Sequence, residues 1–395
     1  MAYGVRTRLF LLLLMRASYL VLISASQQAA RLRVDVFGGG FTGLAAAYYA
    51  LQDTRVAEVR VVDTKRSVSA VGGASVASAG LLHSYSPRGK KIWMGDEGYA
   101  LTMALVLQAE AVSGKVIVQP GVSILRQSSG SQDGTAAAVE EIRGGCVLDP
   151  LSYLEGLWTL LCHTAMNTDT TLTWVVADAR KEMEAVRSSP SLSESDGYRV
   201  VRICALGAAA VDERVWPDAP VLSKLGLERG RNIVLDNSSS GDGEGVLRYA
   251  RIQGEYVVPN FGGGRIILGA THERQWDTIG DTTSPAAEPE LQMLVGKIAA
   301  KGLYGHGDGA EVDLSAQNIQ VTDGVRVQAK NTHLGRLPLV SRHPFDQDTW
   351  LVTGFGSRGL IHHALVSRAV VQAAIERDVG LVPSAIYFPP SSGEQ

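Results

Sequence analysis

The sequence predicts an α/β protein, more fully an α+β chain of two interleaved domains, and three observations carry that expectation. Strand-like and helix-like segments alternate from Arg31 onward. Within "RLRVDVFGGGFTGLAAAYYALQD", Arg31 to Asp53, a strand pattern runs through a glycine-rich turn straight into a small-residue helix. The 395 residues, 45% hydrophobic and 19% charged, exceed the size at which single cores stop growing, so two domains are expected.

The first thirty residues precede the fold. They carry Arg6, Arg8 and Arg16, with no acidic residue before Asp35, the charge bias of a targeting segment. The apolar part, Leu9 to Ser24, is shorter than the roughly 20 residues of a membrane span. Arg16 at its centre costs about 2.5–3.5 kcal/mol on insertion, so no span is expected. Import into an organelle, plastid or mitochondrion, is preferred. Secretion, with Ser24-Ala25-Ser26 as a cleavage site, and a cytoplasmic location are the alternatives.

"RVDVF" then reads as a buried strand, "FTGLAAAYYALQD" as a helix and "VAEVRVVDTK" as a second strand ending at Asp63. Gly38, Gly40 and Gly43 form G-x-G-x-x-G. The first permits a tight turn, the second lets the backbone approach a pyrophosphate, and the third lets the helix pack on the strand. Phe41 and Thr42 open a helix whose unpaired N–H groups suit an anion. Asp63, twenty residues after Gly43 and followed by Thr64, stands where ribose hydroxyls bind. Dinucleotide binding follows, with NAD and FAD both open at this point.

Farther on come a second small-residue turn, "SAVGGASVASAGLLHSYSPRG", a helical pattern, "DPLSYLEGLWTLLCHTA", and a buried strand, "RVVRICALG". Glycine- and serine-rich stretches at 128–134, 188–197 and 236–245 read as surface loops, because strand patterns resume beyond them.

Several function classes lose their footing on composition and motif. A net charge of −3 gives no pull toward nucleic-acid backbones, and Arg88, Lys90 and Lys91 read as a solvated loop. Cys146, Cys162 and Cys204 form neither a disulfide framework nor a C-x-x-C motif. His362 and His363 open a helix without the further ligands of a zinc site, so no metal is expected. There is no G-x-S-x-G, H-E-x-x-H or P-loop.

The second turn resembles the G-A-S-x-x-x-A-G-x-L segment of the D-amino-acid oxidase, glycine oxidase and sarcosine oxidase superfamily of FAD enzymes. "VVRICALGAAA", "YVVPNFGGGRIILGATHER", "GVRVQAKNTHLGRLPLVSRHP" and "WLVTGFGSRGLIHHALVSRAVVQAAI" resemble later segments of that family, in order, so the likeness runs from Arg31 to about Arg377. "GGASVASAGLLHSYSPRGKKIW" is most similar to uncharacterised plant, algal and cyanobacterial members. It is also similar to the flavin half of a bacterial bifunctional enzyme that trims a tRNA wobble-uridine side chain. Two positions depart from the family pattern: Asn260 stands where Arg often follows the strand proline, and Asp63 where Glu is commoner.

The resemblance implies a Rossmann-like FAD-binding domain from 31–90, 150–212 and 325–380, interleaved with a substrate domain of mostly antiparallel sheet from 91–149 and 213–324. A flexible tail would follow at 381–395. FAD would be held non-covalently, since members that link it use a late cysteine and none follows Cys204. Besides the first turn and Asp63-Thr64, the implied contacts are Gly73, Ala74, Ser75, Gly80 and Leu81 of the second turn, and Gly207. The last glycine loop would add Gly354, Gly356, Ser357, Gly359 and Leu360. His83, after the second turn, would either approach the flavin or serve a structural role.

Arg326, Arg358 and Tyr256 match family positions that contact a substrate carboxylate, and two guanidinium forks with a phenol suit that group. The implied reaction is oxidation of a CH–NH bond in an amino acid or secondary amine by hydride transfer to flavin N5, with oxygen or another acceptor taking the electrons. Two alternatives accompany it. The tRNA-trimming reaction needs a basic face that the composition does not advertise. A flavin-binding interaction protein without turnover leaves Arg326 and Arg358 unexplained.

Overall fold

The computed structural model describes residues 31–86, 89–119, 121–127, 139–188, 197–236, 249–260, 265–274, 288–301, 303 and 319–390. Its first sheet has six strands in the order Leu339–Arg342, Thr349–Thr353, Tyr198–Cys204, Arg31–Phe37, Val56–Asp63 and Thr171–Val176. Arg31–Phe37 lies inside it, parallel to both neighbours, with Phe37 opposite Cys204 on one side and Val62 on the other. Covered on both faces, it needs a continuous apolar run, and Val34 and Val36 are fully buried.

One face carries the helices Phe41–Leu51, Gly95–Ser113, Pro150–Asn167 and Gly359–Glu376, whose Leu44, Leu105, Leu157 and Val370 join Val34 and Val36 in the largest core. Ala45, Ala46, Ala47 and Ala50 let the first helix approach closely. A second core on Phe37, Val62 and Leu351 includes Met183 and Trp216.

The second sheet is mainly antiparallel, one parallel pair being Tyr249–Gln253 with Ser123–Gln127. Its long strand Leu225–Asp236 pairs with Ile319–Ala329 on one side and Arg265–Gly269 on the other. Period-two alternation gives it two buried faces. Val234, Val258 and Ile267 point one way, while Ile233, Leu235, Val257 and Leu268 point to the helix Glu288–Ala300.

The cores draw the domain boundaries differently from the sequence. Gly95–Ser113, expected in the substrate domain, packs Leu105, Val106 and Ala109 into the cofactor-side core. Val215, Trp216 and Val221, also expected there, pack against Phe37 and Leu351. The boundary at 325 falls inside Ile319–Ala329, which pairs along its length with Leu225–Asp236 and so belongs to the substrate sheet.

The expected flexible tail is also corrected over its described part. Val382 and Ile386 are buried, Val340 N–H donates to Ile386 O, and Phe388 N–H donates to Val340 O, so this segment caps the sheet edge. The leader, Arg88 and most of the three expected loops lie outside the described residues. Among the described residues no helix is long and apolar enough to cross a membrane.

Candidate functional site

Four sequence-selected positions leave the carboxyl ends of neighbouring parallel strands. Gly38 follows Arg31–Phe37, Asp63 ends Val56–Asp63, Gly207 lies just past Tyr198–Cys204, and Gly354 follows Thr349–Thr353. In an open α/β sheet this edge is where ligands bind, because helix N-termini and loops converge there.

The first turn is shaped for a close-approaching anion. Gly38 has φ +106°, and a Cβ there would stand 2.4 Å from Ala205 O, so glycine is required. A Cβ on Gly43 would lie 1.8 Å from Gly38 O, which fixes how tightly the helix sits on the turn. Gly39 N–H donates to Asp63 Oδ2 at 2.8 Å and Lys65 N–H to Oδ1 at 2.8 Å, holding the carboxylate at the strand end beside the turn. Thr64 is exposed next to it.

The helices differ in how their N-termini are capped. Pro150–Asn167 is capped by Asp149, and Gly95–Ser113 has Asp96 and Glu97 in its first turn. Phe41–Leu51 and Gly359–Glu376 have neither a capping side chain nor a first-turn acid. Their N-termini therefore remain positive and lie at the strand ends. The residues present fit FAD: a glycine turn with an uncapped helix for the pyrophosphate, Asp63 for the ribose, and a second uncapped helix for the flavin.

The second turn closes over the first. Phe41 N–H donates to Ser75 Oγ at 3.3 Å, and a Cβ on Gly40 would stand 2.9 Å from that oxygen. Gly73 and Ala74 are exposed, Leu81 is half-buried and Gly80 is buried, where a Cβ would meet Leu148 O at 1.8 Å. In the last loop Gly354 is buried, Gly356 and Gly359 are half-buried, Ser357 is exposed and Leu360 is buried. That loop joins the substrate sheet through a bridge between Phe355 and Gln328.

One face of the substrate sheet meets the second turn. A Cβ on Gly324 would lie 2.9 Å from Ala74 Cα, and Asn232 Nδ2 donates to Ala77 O at 2.7 Å. Tyr256 Oη donates to Asn232 Oδ1 at 2.8 Å, and burial pushes the phenol up to about 12 against the opposing influence of Arg326. Arg326 pairs with Glu228, directly opposite it in the register, through Nε at 3.1 Å and more closely through Nη2. Burial alone would raise the Glu228 carboxyl, but the His272 hydrogen bond and the Arg326 charge bring it down to about 2.

Arg358 stands apart from that cluster. As the N-cap of the last helix it donates from Nη1 to Arg336 O at 3.0 Å, and burial lowers its pKa.

The histidines divide by partner. His363 Nδ1 is 2.8 Å from Leu360 O, which can only accept, so Nδ1 carries the proton and Nε2 accepts from Tyr153 Oη at 2.9 Å. His362 Nε2 donates to Trp93 O at 2.9 Å. Burial brings both imidazoles, and that of His83, down to about 4, so they are neutral at pH 7. Among the described residues no group of three His, Cys, Asp or Glu could hold a metal.

Sequence reasoning missed Glu228, His272, Asn232 and Trp174. Trp174 walls the first turn, for a Cβ on Gly39 would meet its ring at 2.5 Å. The alternation of Glu228, Gly230 and Asn232 was a readable period-two signal, but not which face it would present. A cavity of about 390 Å³ among Tyr48, Gln108 and Arg368 lies by Gln52, at the opposite end of the first helix from Gly40.

Comparisons with known proteins agree with this geometry. No curated protein matches the chain. Among solved structures it is similar to glycine oxidase from Geobacillus kaustophilus, with 16% identity, TM-score 0.62, and 90% of this chain and 96% of that one covered. Iminodiacetate oxidase from Chelativorans sp. BNC1 gives 15%, 0.58, 91% and 99%. L-α-glycerophosphate oxidase from Mycoplasma pneumoniae, with FAD bound, gives 14%, 0.57, 88% and 94%. At such identities these likenesses speak for the fold. The model of the DAO family, FAD dependent oxidoreductase, matches residues 33–373, and the chain belongs to that family as an FAD-dependent oxidoreductase.

Proposed function

We propose that the protein oxidises a CH–NH bond of an amine or amino acid to the imine, which water then hydrolyses. The observation that carries this reading is the polar sheet face of Asn232, Tyr256 and Arg326 laid against the turn that lines the cofactor site. FAD, when bound, accepts the hydride. The chain's own task is to align the C–H bond and exclude water.

Gly38, Gly40, Gly43 and Asp63 would hold the adenine-nucleotide part, and the uncapped N-terminus at Gly359-Leu360 would face the flavin's anionic edge. Tyr256, its hydroxyl donating to Asn232, is fixed in orientation and remains a neutral phenol at pH 7. Glycine oxidase and iminodiacetate oxidase, both similar in fold, are named for amine-bearing substrates, which supports the reading.

Anaerobic titration of the yellow holoprotein with a panel of amines, amino acids, 2-hydroxy acids, glycerol phosphate and modified tRNA tests it. Bleaching by an amine or amino acid is expected. Bleaching by hydroxy compounds alone, or by tRNA alone, would replace it.

A further inference from the structure

The long strand Leu225–Asp236 and its partner Ile319–Ala329 place three rungs along one face: Asn232 opposite Thr322, Gly230 opposite Gly324, and Glu228 opposite Arg326. The glycine rung receives the second turn, as the near-contact of Gly324 with Ala74 shows. Arg326, two residues before Gln328 and its bridge to the last glycine loop, is thereby held at the edge of the flavin site. Glu228 shares that edge.

The Glu228 side chain is only 5% exposed and that of Arg326 16% exposed. His272 closes the group, its Nδ1 lying 2.8 Å from Glu228 Oε1 and 2.7 Å from Arg326 Nη2. Two charges have thus been taken out of water against each other, and a buried guanidinium with an internal carboxylate partner has little positive field left to offer a second one. A carboxylate arriving beside Arg326 would stand next to Glu228 and be repelled by it.

We propose that Glu228 determines specificity here by neutralising Arg326, so that the pocket admits an amine carrying a neutral or cationic group at this position and rejects one carrying a carboxylate. This deepens the amine-oxidation reading and rests on it. Arg326 positions Glu228 and His272, and the selectivity comes from charge repulsion as much as from attraction.

Two measurements on the flavin-loaded protein separate the inference from the reading beneath it. The first is binding without turnover, followed as the perturbation of the flavin's visible spectrum by acetate and by acetamide. Wild-type protein should bind acetamide more tightly than acetate, and Glu228→Gln should tighten acetate at least about tenfold with acetamide nearly unchanged. Adding Arg326→Met to that variant should remove the gain, because the freed guanidinium is its source. Acetate binding the wild type at least as tightly as acetamide overturns the proposal, and that result needs no variant to fold. An unaltered acetate-to-acetamide ratio in a flavin-loaded Glu228→Gln protein also overturns it.

The second measurement is anaerobic bleaching by N-methylglycine and by its amide. The amide should bleach wild-type flavin faster, and Glu228→Gln should reverse the order. If no amine of any kind bleaches the flavin, the amine-oxidation reading fails while the acetate and acetamide contrast still decides the role of Glu228.

Discussion

At Gly40 a Cβ would stand 2.9 Å from the Ser75 hydroxyl, in the space between the two turns proposed to hold the cofactor. Gly40→Val should therefore abolish FAD retention while circular dichroism stays native, and a yellow Gly40→Val protein would show that the turn serves only the fold. Glu228 answers to pH. Its folded pKa of about 2 lies below its ordinary value of 4.5, so its contribution to stability is complete above pH 4.5 and is lost as pH falls toward 2. Denaturant midpoints between pH 5 and pH 2 should fall more steeply for the wild type than for Glu228→Gln, and parallel curves would show that the pair gives no net support.

The helix Gly359–Glu376 illustrates what one element imposes on others. Its first turn has no capping side chain, while His362, His363 and Ser367 are buried and fix neighbouring segments, Ser367 Oγ donating to Thr42 O at 2.9 Å. His363 titrates at about 4 in the folded protein, below the ordinary 6.5. Unfolded chains therefore take up the proton first, and stability falls as pH drops from 6.5 to 4, by about 3 kcal/mol for one such group. Replacing His363 and Tyr153 together by Phe removes both hydrogen-bond partners without leaving either unpaired. The double variant should lose part of the wild-type slope between pH 6.5 and pH 4 in thermal melts, and an unchanged slope would assign the acid sensitivity to His83, His362 or other groups.

Across the whole molecule, stability depends on a segment expected from the sequence to be a flexible tail. Val382 and Ile386 are 3% and 4% exposed, and burying two such side chains is worth about 3–6 kcal/mol, a large part of a typical margin of roughly 5–15 kcal/mol. A chain ending at Leu381 should melt well below the full chain and aggregate through the uncovered Leu339–Arg342 edge, which light scattering during a thermal ramp would report. An unchanged melting temperature would mean that the capping segment contributes little.

The sequence by itself determined the first strand, glycine turn and helix and the place of Asp63 at the end of the next strand, because all lie within one short stretch whose local geometry dictates their arrangement. It also conveyed the order of the later glycine loops, since each follows its own strand. Only the tertiary structure decided that Arg326 meets Glu228 and His272, since that rung depends on the register between strands nearly a hundred residues apart. Only packing assigned Gly95–Ser113 to the cofactor-side core and seated Ile386 on the sheet edge. A hydrophobic stripe says that a surface must be covered, and the partner is set by the assembled fold, where burial and pairing are settled jointly for segments far apart in the chain.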